Sequence, residues 1–285
     1  MTVCIYHKNC NDGSTAAAIL LTKFPDCKLF AFDHGYKDED MENLLNNIEE
    51  GDIVYIVDFA LRSEKDYEKI FQKAKEIINL DHHITVKDKL QQIAQKYPNF
   101  KFIFDNNKSG ASITWQYLYG DNYPEFVKLV EDKDIWKWEY GEKTKYLNAF
   151  LTMYTDKPEE IKNMLNQDIN QLLEKGKIIS DYNDFLINRF VEKAKELPLK
   201  IGDYIVKGYN ACLFQSEIGN LLSTQNDQAV ALFNFSGINV KLSFRSLDHH
   251  NPSAADLAQI LGGGGHRNAS GAMITVSEFI KLINI

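Results

Sequence analysis

Three short segments carry side chains suited to metal or phosphate chemistry. They are "YHKNCNDG" with His7, Cys10 and Asp12, "VYIVDFA" with Asp58, and "INLDHH" with Asp81, His82 and His83. Each begins in a strand-like apolar run, so imidazoles and carboxylates arrive together at strand ends. That ligand mixture suits manganese, iron or zinc, and several carboxylates in one cluster suggest two cations. Singly, each residue has a plainer reading: an Asp at a strand end is often only a helix N-cap, and a histidine pair is more often surface or core. Their joint occurrence at three equivalent positions points to a site.

The tetrapeptide "LDHH" recurs at Leu247 to His250. This copy follows "KLSFRS" and precedes a helix start at Pro252 and Ser253, which places it in a loop. No comparable set of carboxylate-bearing strand ends accompanies it, so chemistry is expected at the first copy. Nearby, "FRS" offers Arg245 and "GGGGHRNASG" offers Gly264, Gly265, His266 and Arg267. Glycines let the backbone approach an anion closely, and a guanidinium forks onto phosphate. A glycine run alone is more often a flexible turn.

The elements that position these residues follow from the apolar pattern. Up to Asp105, the runs "VCIYH", "KLFAFD", "DIVYIVD", "EIINLD" and "FKFIFD" alternate with helical periodicity, which predicts a parallel sheet covered on both faces. Ligands bind such sheets beyond the carboxyl ends of the strands. From Ser109 to about Lys193 the chain reads as helical, and its last long stretch is a linker helix stopped by Pro198. Short strands and two helices then predict a second, smaller α/β domain. The expected boundaries are 1–155, a linker at 156–197, and 198–285.

The 285 residues are 44% apolar and 25% charged, as in an ordinary globular protein. The longest apolar run of the N-terminal half, Ala16 to Leu21, is far shorter than the roughly 20 residues of a membrane helix. The chain starts directly on a strand-like pattern, and cytoplasmic residence without a membrane partner is expected. Cys4, Cys10, Cys27 and Cys212 show no paired spacing, so reduced thiols are expected. A net charge of −8 disfavours duplex DNA and suits a short nucleotide gripped at a few points.

Together the motifs resemble the DHH phosphoesterases, named for the tripeptide at Asp81 to His83. "HKNCNDG", "VDFA", "LDHH" and "EDKDIW" match that family's successive motifs, and "VKLSFRS" with "GGGGHRNASG" is similar to the DHHA1 substrate-binding domain. Among the branches, the chain looks most like the nanoRNase and cyclic-nucleotide phosphodiesterase group. The resemblance implies two divalent ions, with manganese the leading choice. His7 and Asp58 would hold one, and Asp12, a bridging Asp58, His82 and Asp134 the other. Asp132 competes with Asp134 in "DKD". Cys10 stands where the family commonly has an aspartate; its softer thiolate would join the first site and favour zinc or iron, the alternative being that it binds nothing and leaves that site weaker.

By the same resemblance His83 contacts phosphate and Asp81 orients its neighbour. Arg245, Gly264, Gly265, His266 and Arg267 grip the nucleotide across an interdomain cleft. The implied function is two-metal hydrolysis of short single-stranded oligoribonucleotides to mononucleotides. Rivals are hydrolysis of cyclic mono- or dinucleotides, a phosphatase for 3′,5′-bisphosphorylated nucleotides, and a nucleotide sensor without turnover. A homodimer is compatible with the sequence.

Overall fold

The computed structural model describes residues 1–283. It divides into two compact units, Met1–Asp181 and Tyr182–Ile285, each described by itself. The division falls inside one long helix, within the segment expected to be a linker.

In the first unit, strands and helices alternate as the pattern predicts. β1 (Thr2–His7), α1 (Asn11–Lys23), β2 (Lys28–Phe32), α2 (Asp38–Asn47), β3 (Ile53–Val57), α3 (Glu64–Phe71), β4 (Glu76–Asp81), α4 (Lys87–Lys96) and β5 (Phe100–Phe104) follow one another. The strands form a parallel sheet in the order β2-β1-β3-β4-β5. Burial explains the continuous apolar runs. Cys4, Tyr6, Tyr55, Val57, Ile78 and Leu80 pack into one core, while Val3, Ile5, Val54, Ile56 and Ile77 pack into another. Adjacent residues thus point to opposite faces, both covered by helices.

Helices α5 (Gly110–Tyr119), α6 (Glu125–Asp134), α7 (Glu142–Leu151) and α8 (Pro158–Met164) complete this unit, and α9 (Ile169–Lys193) leaves it. Leu172 and Leu173 near the start of α9 join the first core.

The second unit carries β6 (Leu197–Ile201), β7 (Tyr204–Asn210), α10 (Gln215–Asn226), β8 (Val230–Ser236), β9 (Asn239–Arg245), α11 (Ala254–Ile260), β10 (Gly264–His266), β11 (Ala269–Thr275) and α12 (Val276–Leu282). Its mixed sheet runs β10-β11-β9-β8-β7-β6, with β7 and β8 the parallel pair. Pro198 lies in β6 at the sheet edge, where a missing N–H is tolerated. Among the described residues, no helix is long and apolar enough to cross a membrane.

Candidate metal centre

Register sets the site. His7 pairs with Phe32, Tyr6 with Val57, and Val57 with Leu80, so His7, Asp58 and Asp81 form one row across β1, β3 and β4. This row is the carboxyl edge of the sheet. Gly13 brings α1 onto it, since a Cβ there would lie 2.5 Å from the His7 carbonyl oxygen.

Asp58 sits just past β3 with φ +53, a left-handed conformation that costs energy in a residue with a Cβ. The surroundings hold it there. Its N–H donates to the Leu80 carbonyl at 2.9 Å, and the following turn is fastened by Asn79 Nδ2 donating to the Phe59 carbonyl at 2.9 Å. Tyr67, fully buried, accepts from the Leu61 N–H at 3.1 Å and donates to Asn79 Oδ1 at 2.9 Å.

The two oxygens of Asp58 face different histidines. Oδ2 lies 3.3 Å from His7 Nδ1, and Oδ1 accepts from His82 Nε2 at 3.1 Å. Asp134 Oδ2 lies 3.4 Å from the same His82 nitrogen. Potential ligand atoms fall into three groups on this edge: His7, Cys10 and Asp58; Asp58, His82 and His83; and Asp12, His82 and Asp134. Asp58 belongs to two of them.

Asp12, in the first turn of α1, is buried against the start of α5. Its Oδ2 accepts from the Gly110 N–H at 2.6 Å and its Oδ1 from the Ala111 N–H at 3.0 Å, so a helix N-terminus faces the carboxylate. Each oxygen keeps a further lone pair. Burial, followed by the charges of Asp134 and Asp58, raises the Asp12 pKa well above the usual carboxylate range. Asp134 is raised for the same reasons, burial first and then Asp58. At Asp58 burial acts the same way but is outweighed by contacts with His7 and His82, and its pKa is held low. His82 resists its own burial through Asp58 and Asp134 and is pushed up to about 10. Two buried carboxylates, with the more exposed Asp134 beside them, therefore demand positive charge on one edge.

The side chains fit divalent metal on a further ground. His7 Nδ1 and Asp58 Oδ2 are buried and find no hydrogen-bond partner among the described residues, which is costly unless something else meets them. Cys10, the N-cap of α1, makes no side-chain capping bond and has a thiol raised by burial and by Asp58, Asp134 and Asp12. Binding through sulfur would require loss of that proton.

Asp81 organises the histidine pair. Its Oδ1 accepts from the N–H groups of His82 at 2.7 Å and His83 at 3.0 Å, and from His83 Nδ1 at 2.7 Å. Nδ1 of His83 is thereby committed to Asp81. Its pKa is raised, because Asp81 overcomes the burial that favours the neutral ring.

Asp132 occupies a different place from Asp134. It is buried and accepts from the N–H groups of Glu139 at 2.8 Å and Tyr140 at 3.1 Å and from the Thr144 hydroxyl. The Asp134 side chain is only 22% exposed and meets His82.

His34 was not among the residues read from sequence. Its ring lies 5.5 Å from that of His7 and stacks on Phe59 at 5.4 Å. It follows β2, so the rule that picked out the other strand ends applies to "FDHG" as well.

In the second unit Arg245 is largely enclosed, donating to the Phe244 carbonyl at 2.8 Å and the Ser216 hydroxyl at 2.9 Å. Gly264, Gly265 and His266 form the edge strand β10 rather than a free loop. Arg267 donates to the carbonyls of Asp248 at 2.8 Å and His250 at 3.4 Å, bracing the second LDHH copy.

That copy lies in a loop, yet it does have a carboxylate. Asp227, capping α10, lies 2.9 Å from His249 Nε2 and 3.5 Å from His250 Nε2. The buried His250 ring accepts the Leu247 N–H through Nδ1 at 3.0 Å, which leaves the proton on Nε2. A protonated Nε2 is a donor and has no lone pair for a metal.

Parts of the chain are similar to known proteins. Residues 205–284 match the model of the DHHA1 domain. Uncharacterized protein R106 of Acanthamoeba polyphaga mimivirus is 26% identical, covering 94% of this chain and 66% of that protein. Oligoribonuclease NrnB of Bacillus subtilis (strain 168) is 25% identical, covering 79% of this chain and 60% of that protein. The chain thus spans about two thirds or less of these relatives. RecJ from Thermus thermophilus, solved in complex with Mn2+, shares the fold with a TM-score of 0.58 at 15% identity, over 99% of this chain and 50% of that one. The family match thus lies within the second unit.

Proposed function

We propose that the protein is a metal-dependent phosphodiesterase that hydrolyses short oligoribonucleotides to mononucleotides. The observation that carries this reading is the Asp58 carboxylate, each oxygen facing a different imidazole, with His7 Nδ1 and Asp58 Oδ2 buried 3.3 Å apart and neither making a hydrogen bond. His7, Cys10 and Asp58 would hold one divalent cation, and Asp12, Asp58, His82 and Asp134 a second, with manganese the leading candidate. Bound there, the cations supply a water of lowered pKa and neutralise charge on the phosphoryl oxygens.

The chain's own groups do the rest. Asp81 fixes the Nδ1 proton of His83, so that His83 Nε2 donates to a phosphoryl oxygen. The α5 N-terminus holds Asp12 in place through two N–H donors. Arg245, His266 and the backbone of Gly264 and Gly265 bind parts of the nucleotide remote from the scissile bond, while Arg267 shapes the neighbouring loop. The name of the Bacillus subtilis relative, an oligoribonuclease, favours RNA fragments over other phosphoesters.

The test is release of mononucleotides from an end-labelled diribonucleotide, assayed separately with manganese, cobalt, zinc and magnesium. Turnover that disappears in Asp58→Asn together with bound metal is expected. Tight nucleotide binding without turnover in every metal would overturn the proposal in favour of a sensor.

A further inference from the structure

The helix that delivers Asp134 runs into a loop with an unusual backbone. Trp136 and Trp138 have φ of +59 and +60, the left-handed region that side chains with a Cβ avoid and that turns normally fill with Gly or Asn. Bulky aromatics there are held against their preference. Asp132 is what holds them. Its carboxylate binds the N–H groups of Glu139 and Tyr140 and the Thr144 hydroxyl, and its carbonyl accepts from Lys137 N–H at 2.9 Å and Trp138 N–H at 3.4 Å. The Trp136 N–H closes the turn onto the Lys133 carbonyl at 3.0 Å.

This strain does not serve burial, because Trp136 remains 40% exposed. The Trp138 ring meets it nearly perpendicularly, at 86° and 5.1 Å between centroids, an edge-to-face contact that fixes the plane of the indole. The result is a preorganised, partly exposed aromatic surface two residues beyond a proposed metal ligand. Strain kept at such a place is a mark of function. The neighbouring carboxylates repel a polyanion, whereas a neutral π-face binds any base by stacking.

We propose that Trp136 is a stacking platform for a nucleobase of the substrate, carried on a loop that Asp132 holds in a strained conformation. Trp138 is a positioning residue for it. The assignment rests on the phosphodiesterase reading above and narrows it, since the enzyme would recognise a nucleoside rather than a bare phosphoester.

The experiment compares the parent, Trp136→Ala and Trp136→Phe on a diribonucleotide and on its abasic analogue, with metal content and thermal unfolding measured alongside. Trp136→Ala should lower kcat/KM for the diribonucleotide about 5- to 150-fold, the range for one stacked base, and Trp136→Phe should recover most of it. The preference for the base-bearing substrate should shrink by the same factor, with metal content unaltered. In a magnesium buffer, AMP should quench the parent's indole fluorescence, ribose 5-phosphate should not, and the quench should vanish in Trp136→Phe. Dinucleotide turnover by the parent, with an unchanged base preference and an unchanged quench in both variants, overturns the stacking role alone. Failure of the parent to turn over the dinucleotide overturns the phosphodiesterase reading and this inference with it.

Discussion

A methyl group on Gly110 would lie 2.5 Å from Cβ of Asp58, closer than real Cβ atoms approach. The first residue of α5 therefore fixes how near the helix comes to the strained aspartate, while its N–H grips Asp12. Gly110→Ala should improve helix propensity by about 1 kcal/mol if nothing else changed. Displacement of Asp58 or Asp12 should instead lower metal affinity by about 10- to 100-fold, the usual scale for disturbed support of a ligand. Isothermal titration with manganese decides the sign, and a stabilised variant with parental affinity would contradict this account.

The two aspartates at the end of α6 should separate cleanly. Asp134→Asn is expected to lose metal with little change in thermal stability, since its carboxylate meets His82 rather than the backbone. Asp132→Asn should destabilise the first unit by about 2 kcal/mol, because it weakens part-buried bonds to two N–H donors and a buried bond to a hydroxyl. Metal content per folded molecule reports the first effect and thermal melting the second.

Metal uptake should depend on pH with a defined sign. His82, pushed up to about 10 in the metal-free protein, must lose its proton to become a ligand, and Asp12 and Asp134 have raised pKa values too. Affinity should therefore rise with pH from neutrality toward about 10, with protons released on binding. Stability of the chelated protein follows the opposite sign. The raised His82 contributes fully below the ordinary histidine pKa, and that contribution is lost as pH climbs through about 10. Calorimetry in buffers of different ionisation enthalpy counts the protons, and uptake independent of pH would refute the assignment.

The two LDHH copies should respond differently to the same change. His82→Ala is expected to lose both metal and turnover. His250→Ala should retain metal, because the ring it removes is a buried partner of the Leu247 N–H and carries its proton on Nε2. Its cost should be about 1 to 3 kcal/mol of stability from the orphaned donor and the space left behind. Metal analysis of both variants is sufficient.

Much of this was readable in the residue order. The parallel strands announced themselves because both faces are buried, so the apolar runs are unbroken, and the strand-end rule located His7, Asp58 and Asp81. His34 needed only the same rule applied to β2. The choice between Asp132 and Asp134 was harder, since residues two apart on a helix differ by about 200° and spacing alone does not say which faces the site. Contacts settle their surroundings: one is enclosed by its own loop and the other meets His82. Asp227 was invisible beside the second copy because only the fold joins it to His249 and His250. Strands β6, β10 and β11 were hidden by Pro198 and by glycines, whose weak strand preference is overridden by pairing at and near the sheet edges.

The hydrogen bonds from Gly110 and Ala111 to Asp12 span 98 and 99 residues of chain. Those contacts close long loops, whose entropic cost must be met before they stabilise anything, so they belong to the late part of folding. The proposed donor set is thus complete only when β1, β3, β4, the first turns of α1 and α5 and the end of α6 are already assembled. During refolding, cation capture should trail formation of secondary structure, and the nascent chain should not trap metal in a partial, off-register cluster.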